Sequence, residues 1–297
     1  MAAFTRSLRA QNVSPNTVYA YVGAVASLGE YLLAHDLPTD VRAIKREHVE
    51  AWLDDLLSHY KATTAHQRYR GAQRFFHWYQ AVDDSETFRS PMAKIPPPKL
   101  PEYLPEVLTI EQLRKVTDAT NGRSFEDRRD EALIRVFFDT GARRAEIANL
   151  HWSTDPKLRD VNLESGQLRL FGKGRRERMV QLSPKTVESL ERYVRARRGH
   201  PYVDLPWLWL SRKGRLTDSG IAQAIRDVGL RAGIPNLHPH TLRHSWRDHA
   251  ARKGMSREDM MALGGWRSDA MLRRYASSTA NARALEKARE IALGDEL

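Results

Sequence analysis

HPHTLRHSWRDHAARKGMSREDMMALGGWRSDAMLRRY, residues 238–275, is the stretch from which the chain reads most clearly. Pro239 precedes a helix expected over 241–253, and His240 and Arg243 fall at its N-terminal end, three residues apart. There the helix dipole lets both side chains face one anion. A histidine exchanges a proton near neutral pH, and an arginine grips two phosphate oxygens. Ser256 is the expected cap of a helix reaching Leu263, followed by Gly264-Gly265-Trp266. Ser268 then caps a further expected helix carrying Tyr275, nine residues beyond that Trp. A lone tyrosine is more often packing than nucleophile. As a set, however, these are groups that can attack, grip and release a phosphodiester, and Arg273 and Arg274 suit a position beside DNA.

The histidines admit another reading. His238, His240, His244 and His249 contain an H-x-H step and an i,i+4 pair, as a zinc site would. Against it, no acidic residue completes a typical ligand set, and Arg243 would put a fixed charge beside the ion. The expectation is therefore no metal and no cofactor.

Working upstream, a helix is expected over 126–139 with Leu133, Ile134, Phe137 and Phe138 inward, ended by Thr140-Gly141 with glycine past the last turn. A short helix, ARRAEIANL, follows. Arg143 and Glu146 share a face there, so the carboxylate can hold the guanidinium; the pattern by itself reads as an ordinary surface ion pair. Residues 167–171 and 177–182 alternate in the manner of half-buried strands. Their connection, Gly172-Lys173-Gly174-Arg175-Arg176, sets a lysine at a tight hairpin tip. There it is either an exposed basic turn or a mobile charge able to enter a groove and donate a proton. Thr109-Ile-Glu-Gln112 is a capping-box pattern opening a helix to about Ala119. Helices are also expected over 184–198 and 218–232, with Gly233 ending the second, and Trp207-Leu-Trp-Leu210 reads as core or a short strand.

The N-terminal third reads as a small helical bundle. Ser14-Pro15 is a cap with proline at the first helical position, and apolar residues then recur at helical spacing to about Leu33. A second helix is expected over 46–60, with Val49, Trp52, Leu53 and Leu56 inward, and a third over 63–82 with the stripe Ala65, Tyr69, Ala72, Phe76, Tyr79. Another face of that third helix carries His66, Arg70, Gln73, Arg74 and His77, either a solvated surface or groups lining a duplex groove. Residues 91–101 hold five prolines, with another at Pro105, and mark an extended connector. Domains are thus expected at 1–90 and 106–280, joined by a linker over 91–105, with a C-terminal helix over 281–297. A stiff link between two basic domains would let them embrace a rod-shaped ligand.

Composition narrows the class. Across 297 residues, 48 Lys and Arg against 37 Asp and Glu give a net charge of +11, which attracts polyanions. With no cysteine there is no thiol nucleophile and no disulfide framework. No run approaches the roughly 18 apolar residues of a membrane span. The start lacks a long apolar segment, so a cytoplasmic protein is expected.

TGARRAEIANL, GKGRRERMVQL, HPHTLRH and LGGWRSDAMLRRY, in this order, resemble the tyrosine recombinase (phage integrase) family, and the likeness extends over nearly the whole chain. In size it resembles Xer-like recombinases and compact integrases. The resemblance implies a mainly α fold with a small β-sheet. A helical core-binding (SAM-like) domain would precede an α+β catalytic domain. It implies that Arg143, Lys173, His240, Arg243 and Tyr275 are catalytic, with Tyr275 the nucleophile and Glu146 supporting Arg143. Trp266 falls where most members carry His and some carry Trp; an indole donates one hydrogen bond but shuttles no proton. His66, Arg70, Gln73, Arg74, His77, Arg175, Arg176, Arg273 and Arg274 are the expected DNA contacts.

The activity so implied is site-specific strand exchange through a 3′-phosphotyrosyl link, without ATP or metal. The partners would be double-stranded DNA bearing a recombination site and further copies of this chain. Four copies would assemble on DNA, with a monomer or weak dimer off it, and no membrane is involved. The helix over 281–297, with Leu285, Ala288, Ile291 and Ala292 on one side, would dock on a neighbour or pack in cis. Three rivals share parts of the pattern: a type IB topoisomerase, a non-catalytic DNA-binding protein of the same fold, and a zinc hydrolase built on the histidines.

Overall fold

The computed structural model describes residues 1–83, 87–101, 105–172, 176–266, 285, 288–289, 291–292 and 295. It divides into two compact units, Met1–Tyr103 and Leu104–Leu297.

The first unit packs four helices, α1 (Ala2–Ala10), α2 (Pro15–Ala34), α3 (Arg46–His59) and α4 (Ala62–Val82). Ser14 caps α2 by accepting the Thr17 amide at 3.3 Å. The inward set of α3, Val49, Trp52, Leu53 and Leu56, is buried, as are Ala65, Tyr69, Ala72 and Phe76 of α4. No helical apolar period marks α1 in the sequence. Its whole apolar signal is Phe4 and Leu8, one turn apart, and both are buried against the bundle. Burying that Phe contributes roughly 1.5–3 kcal/mol, enough to seat a nine-residue helix that has no other apolar stripe.

The boundary expected at residue 90 needs correction. Phe88, Met92 and Ile95 are buried in the first unit's core, and Tyr69 donates its hydroxyl to the Ile95 carbonyl at 2.6 Å. Prolines suppress periodicity without preventing burial, so a segment with the look of a linker begins as part of the bundle.

The second unit is built around α6 (Phe125–Thr140), preceded by α5 (Ile110–Asp118). Both halves of the capping box that opens α5 are formed, at 2.9 and 3.1 Å between Thr109 and Gln112. Ser124 caps α6 by accepting the Asp127 amide at 3.0 Å. Ala132, Leu133, Ile134, Val136 and Phe137 of α6 are buried, which leaves the helix covered on several sides. It packs against α8 (Pro184–Arg197), α9 (Asp218–Arg231) and α10 (Pro239–Arg252). The short α7 (Arg144–Ala148) follows α6, and α11 (Arg257–Gly264) follows α10.

A three-stranded antiparallel sheet, in the order β1 (Val161–Asn162), β2 (Gln167–Phe171), β3 (Glu177–Gln181), flanks this bundle. Its register sets Leu168 opposite Val180 and Leu170 opposite Arg178. Leu168, Leu170 and Val180 face the core, which places Arg178 at an inward position. A second, two-stranded sheet pairs β4 (Leu210–Ser211) with β5 (Gly214–Arg215). Leu208, Trp209 and Leu210 are core, as their apolar run suggests. The Trp209 indole donates to the Ile147 carbonyl at 3.0 Å, which pins α7 to the core. The described residues are mainly α with small antiparallel sheets, a helical unit followed by an α+β unit, as expected. Among the described residues no helix is long and apolar enough to cross a membrane.

Candidate active site

Two glycine turns bring the site together. At the end of α6, Gly141 takes the left-handed conformation (φ +55°), and its amide closes on the Phe137 carbonyl at 2.9 Å. The chain then turns into Arg143, the N-cap of α7. At the end of α11, Gly265 does the same with φ +66°. Each turn leaves a carbonyl pointing at a guanidinium. Arg243, on the first turns of α10, donates to the Gly141 carbonyl. Arg143 donates through Nη2 to the Gly265 carbonyl at 2.7 Å.

Arg143 and Glu146 form more than a surface pair. Glu146 is only 6 % exposed. Its Oε2 accepts the Arg143 amide at 2.9 Å, completing the N-terminal cap of α7, while Oε1 accepts Arg143 Nη1 at 3.0 Å. A second arginine, Arg178 on β3, donates Nη2 to Oε2 at 2.6 Å and Nε to the Leu263 carbonyl at 2.7 Å. Burial alone would push the Glu146 pKa up. The hydrogen bond and charge of Arg178, then the amide and guanidinium of Arg143, outweigh that and hold the carboxyl below its ordinary value.

Trp266 lies under Arg243, whose guanidinium carbon sits 4.0 Å from its ring centroid. The indole stacks in turn on Trp246 at 5.9 Å and 20°, in a small buried cluster with Ala250 and Met260. The cation over the ring is worth about 2 kcal/mol where desolvated, and Arg243 is buried, so Trp266 fixes the plane of that guanidinium. His240, on the first turn of α10, feels this surplus of positive charge. Partial burial of the ring, followed by His238, Arg243, Arg144 and Arg143, lowers its pKa and favours the neutral imidazole.

The remaining histidines have separate tasks. His238 caps α10, its Nδ1 accepting the Thr241 amide at 3.0 Å. His249 bonds the Leu108 carbonyl at 2.8 Å. The His244 ring stacks near His240 at 6.2 Å, and burial and its cationic neighbours push its pKa down to about 4. Among the described residues, no group of three or more His, Asp or Glu side chains is placed to hold a metal ion.

Of the expected catalytic set, the structure thus gathers Arg143, His240, Arg243 and Trp266, with Glu146 behind Arg143. Lys173, Arg175, Arg273, Arg274, Tyr275 and the Ser268 cap lie outside the described residues, as does most of the tail over 281–297. Arg176 is exposed, and its carbonyl accepts the Gly172 amide at 2.8 Å to close the hairpin neck. On α4, Arg70, Arg74 and His77 are exposed, whereas His66 binds the Pro98 carbonyl at 3.0 Å and Gln73 the Tyr69 hydroxyl at 3.1 Å. Arg74 meets Gln11 of the chain following α1. The residue the sequence reading missed is Arg178. The signal was there: a charge at an inward position of a strand whose alternate neighbours are Val180 and Leu182.

Comparison with known proteins gives the family. Residues 106–282 match the phage integrase family, and residues 1–81 match the phage integrase N-terminal SAM-like domain. The tyrosine recombinase XerD of Staphylococcus haemolyticus is 30 % identical over 251 residues, covering 82 % of this chain and 81 % of that protein. Among solved structures, the fold is similar to XerH site-specific recombinase bound to palindromic difH substrate (TM-score 0.76, 20 % identity, 95 % and 81 % of the two chains). It is also similar to a lambda integrase dimer bound to a COC′ core site (TM-score 0.70, 16 % identity, 93 % and 94 % covered). A family match over more than half of the chain, together with the XerD likeness, establishes the relationship: this chain belongs to the phage integrase family, the tyrosine recombinases.

Proposed function

We propose that this chain is a site-specific DNA recombinase that exchanges strands through a covalent tyrosyl–DNA intermediate. The observation that carries the reading is the convergence of Arg143 and Arg243 on one locus, each aimed by a turn carbonyl and braced by Glu146 or Trp266.

The chemistry follows from those groups. The Tyr275 hydroxyl attacks the scissile phosphate in line, forming a 3′-phosphotyrosyl bond as the 5′-oxygen leaves. Arg143 and Arg243 neutralise the charge that builds on the non-bridging oxygens, and the Trp266 indole adds a hydrogen bond there. Neutral His240 takes the tyrosyl proton, a role its lowered pKa suits, and Lys173 gives a proton to the leaving oxygen. The bond energy stays in the phosphotyrosyl link, so a 5′-hydroxyl from another strand reverses the step without ATP.

The first unit would grip the duplex through the exposed part of α4, with Arg70, Arg74 and His77 as phosphate contacts. Residues 281–297 would dock on a neighbouring copy in a tetramer on two duplexes; Leu285 and Ile291 are exposed and would be covered there. The protein would work in the cytoplasm, where chromosomal and plasmid DNA lie.

The test is a suicide substrate, a nicked duplex selected from random sequence for binding to this chain. Wild-type protein should give a covalent adduct that survives denaturing electrophoresis and forms undiminished in a strong chelator. Tyr275→Phe should give none. If neither protein forms an adduct on a duplex both bind tightly, the enzyme reading is wrong and the chain is a DNA-binding protein of this fold.

A further inference from the structure

The roles above leave Arg178 without one, yet it bonds both the carboxylate behind Arg143 and the end of α11. Arg143, Glu146 and Arg178 form a closed ring through three separate parts of the chain. Arg178 Nη2 reaches Glu146 at 2.6 Å, and Glu146 reaches Arg143 at 3.0 Å. Arg143 reaches the Gly265 carbonyl at 2.7 Å. The ring then returns through two residues of backbone to the Leu263 carbonyl, which Arg178 Nε grips at 2.7 Å. One guanidinium thus ties the carboxylate on α7 and the last turn of α11 to the same point on β3.

We infer that Arg178 is a positioning residue for phosphoryl transfer: it sets the place of Arg143 by fixing both groups to which Arg143 is bonded. The inference rests on the recombinase reading for the identity of the ligand. The two arginines differ in what they can touch. The Arg143 side chain is 37 % exposed, whereas that of Arg178 is 13 % exposed and gives both Nε and Nη2 to protein acceptors, the Leu263 carbonyl and Glu146. The space is also closed on the Gly265 side, where an added Cβ would stand 3.1 Å from Arg178 Nη1 and 3.2 Å from Arg143 Nη1.

Two in-plane donors at the ends of one rigid fork are what the position uses. A lysine keeps the charge beside Glu146 but has a single ammonium and no fork. With Arg178 gone, Glu146 keeps Arg143 as partner, but nothing on β3 limits where the pair sits or where the Leu263–Gly265 turn lies. A displacement on the order of 1 Å in a charge-stabilising group costs about 10²-fold in rate.

The experiment compares Arg178→Met, Arg178→Lys and Arg143→Met with wild type. Each is given the suicide duplex with an ordinary scissile phosphate, and the same duplex with a neutral methylphosphonate there. Expected are DNA affinity close to wild type and adduct formation slowed about 10²-fold by Arg178→Met, without rescue by Arg178→Lys. On the methylphosphonate, which has no negative charge for Arg143 to meet, the deficit of both Met variants should shrink together. The double variant should be no slower than Arg143→Met alone. Thermal unfolding identifies the variants that remain folded, and Arg178→Lys carries the comparison if Arg178→Met does not fold. An equal deficit on both substrates, or additive losses in the double variant, would overturn the inference. A wild type that forms no adduct would instead refute the recombinase reading. The inference would then be decided by guanidinium NMR of arginine-labelled protein: the Arg143 resonances should shift and broaden in the Arg178 variants as the pair it forms with Glu146 loses its fixed place, and unchanged resonances count against it.

Discussion

Replacing Gly141 with alanine should damage this protein in two separable ways. The residue has φ +55°, where an L side chain costs roughly 1–2 kcal/mol. An added Cβ would also stand 2.2 Å from Trp246 Cε3 and 2.6 Å from its Cδ2, so a buried indole must move. Overpacking of that kind costs roughly 1–3 kcal/mol, giving a total of roughly 2–5 kcal/mol. For a unit of this size each kcal/mol lowers Tm by about 2–4 °C, which predicts a fall of roughly 4–20 °C. Gly233 supplies the control. It also has positive φ (+71°), but no described atom lies within 4 Å of its added Cβ, so Gly233→Ala should show the backbone term alone. The assay is thermal unfolding of both variants by circular dichroism at one pH and salt concentration. If the two fall by the same amount, the collision with Trp246 contributes nothing and the packing argument is wrong. The Gly141 variant should also form adduct more slowly at temperatures where it remains folded. Trp246 stacks on Trp266, and the Gly141 carbonyl orients Arg243.

Three other outcomes follow from the geometry. Glu146→Gln keeps the shape but removes the charge between two arginines, and should cost roughly 1.5–3 kcal/mol in urea unfolding at pH 7. Because the folded pKa of Glu146 is depressed, its contribution is complete above the ordinary value of 4.5 and is lost as pH falls through the folded value. Wild type and variant should therefore converge in acid, and a gap that persists there would contradict the assignment. His244 has a folded pKa of about 4 against 6.5 ordinarily. The unfolded chain therefore binds the extra proton between those values, and stability should fall as pH drops through that window. His244→Gln should flatten the slope; urea midpoints measured across that range would reveal an unaltered one. Arg70→Ala should reduce the slope of log affinity against log salt by about 0.9, as expected for one lost phosphate contact. A titration by fluorescence anisotropy with an unchanged slope would remove Arg70 from the interface.

Much of the fold was legible because its signals are local. Ser14, Ser124 and Ser256 each accept the amide three residues on, as a capping side chain does in any protein. The stripe on α3 and the alternation on β2 and β3 carry their period within a single element. The readings that failed lacked such a period. Phe4 and Leu8 are too few to mark a helix. Phe88, Met92 and Ile95 are spaced among prolines in no regular pattern, so only the finished core shows that they are inside. The role of Glu146 was half legible. Its spacing from Arg143 predicted the pair, while its burial depends on β3, more than thirty residues away in sequence.

By itself, then, the sequence determined the elements and the residue types that could carry phosphoryl chemistry: two arginines, a histidine, a tryptophan, a lysine and a tyrosine in a recognisable order. The tertiary structure alone decided how the described arginines are aimed. Arg143 is set by the Gly265 carbonyl 122 residues away, Arg243 by the Gly141 carbonyl 102 residues away, and Arg178 by the Leu263 carbonyl 85 residues away. The physical reason is that the acceptors are main-chain oxygens. Every residue has one, so no side-chain pattern marks the few that will be turned toward a guanidinium. That choice belongs to the two left-handed glycine turns and to the packing that brings them to the same place.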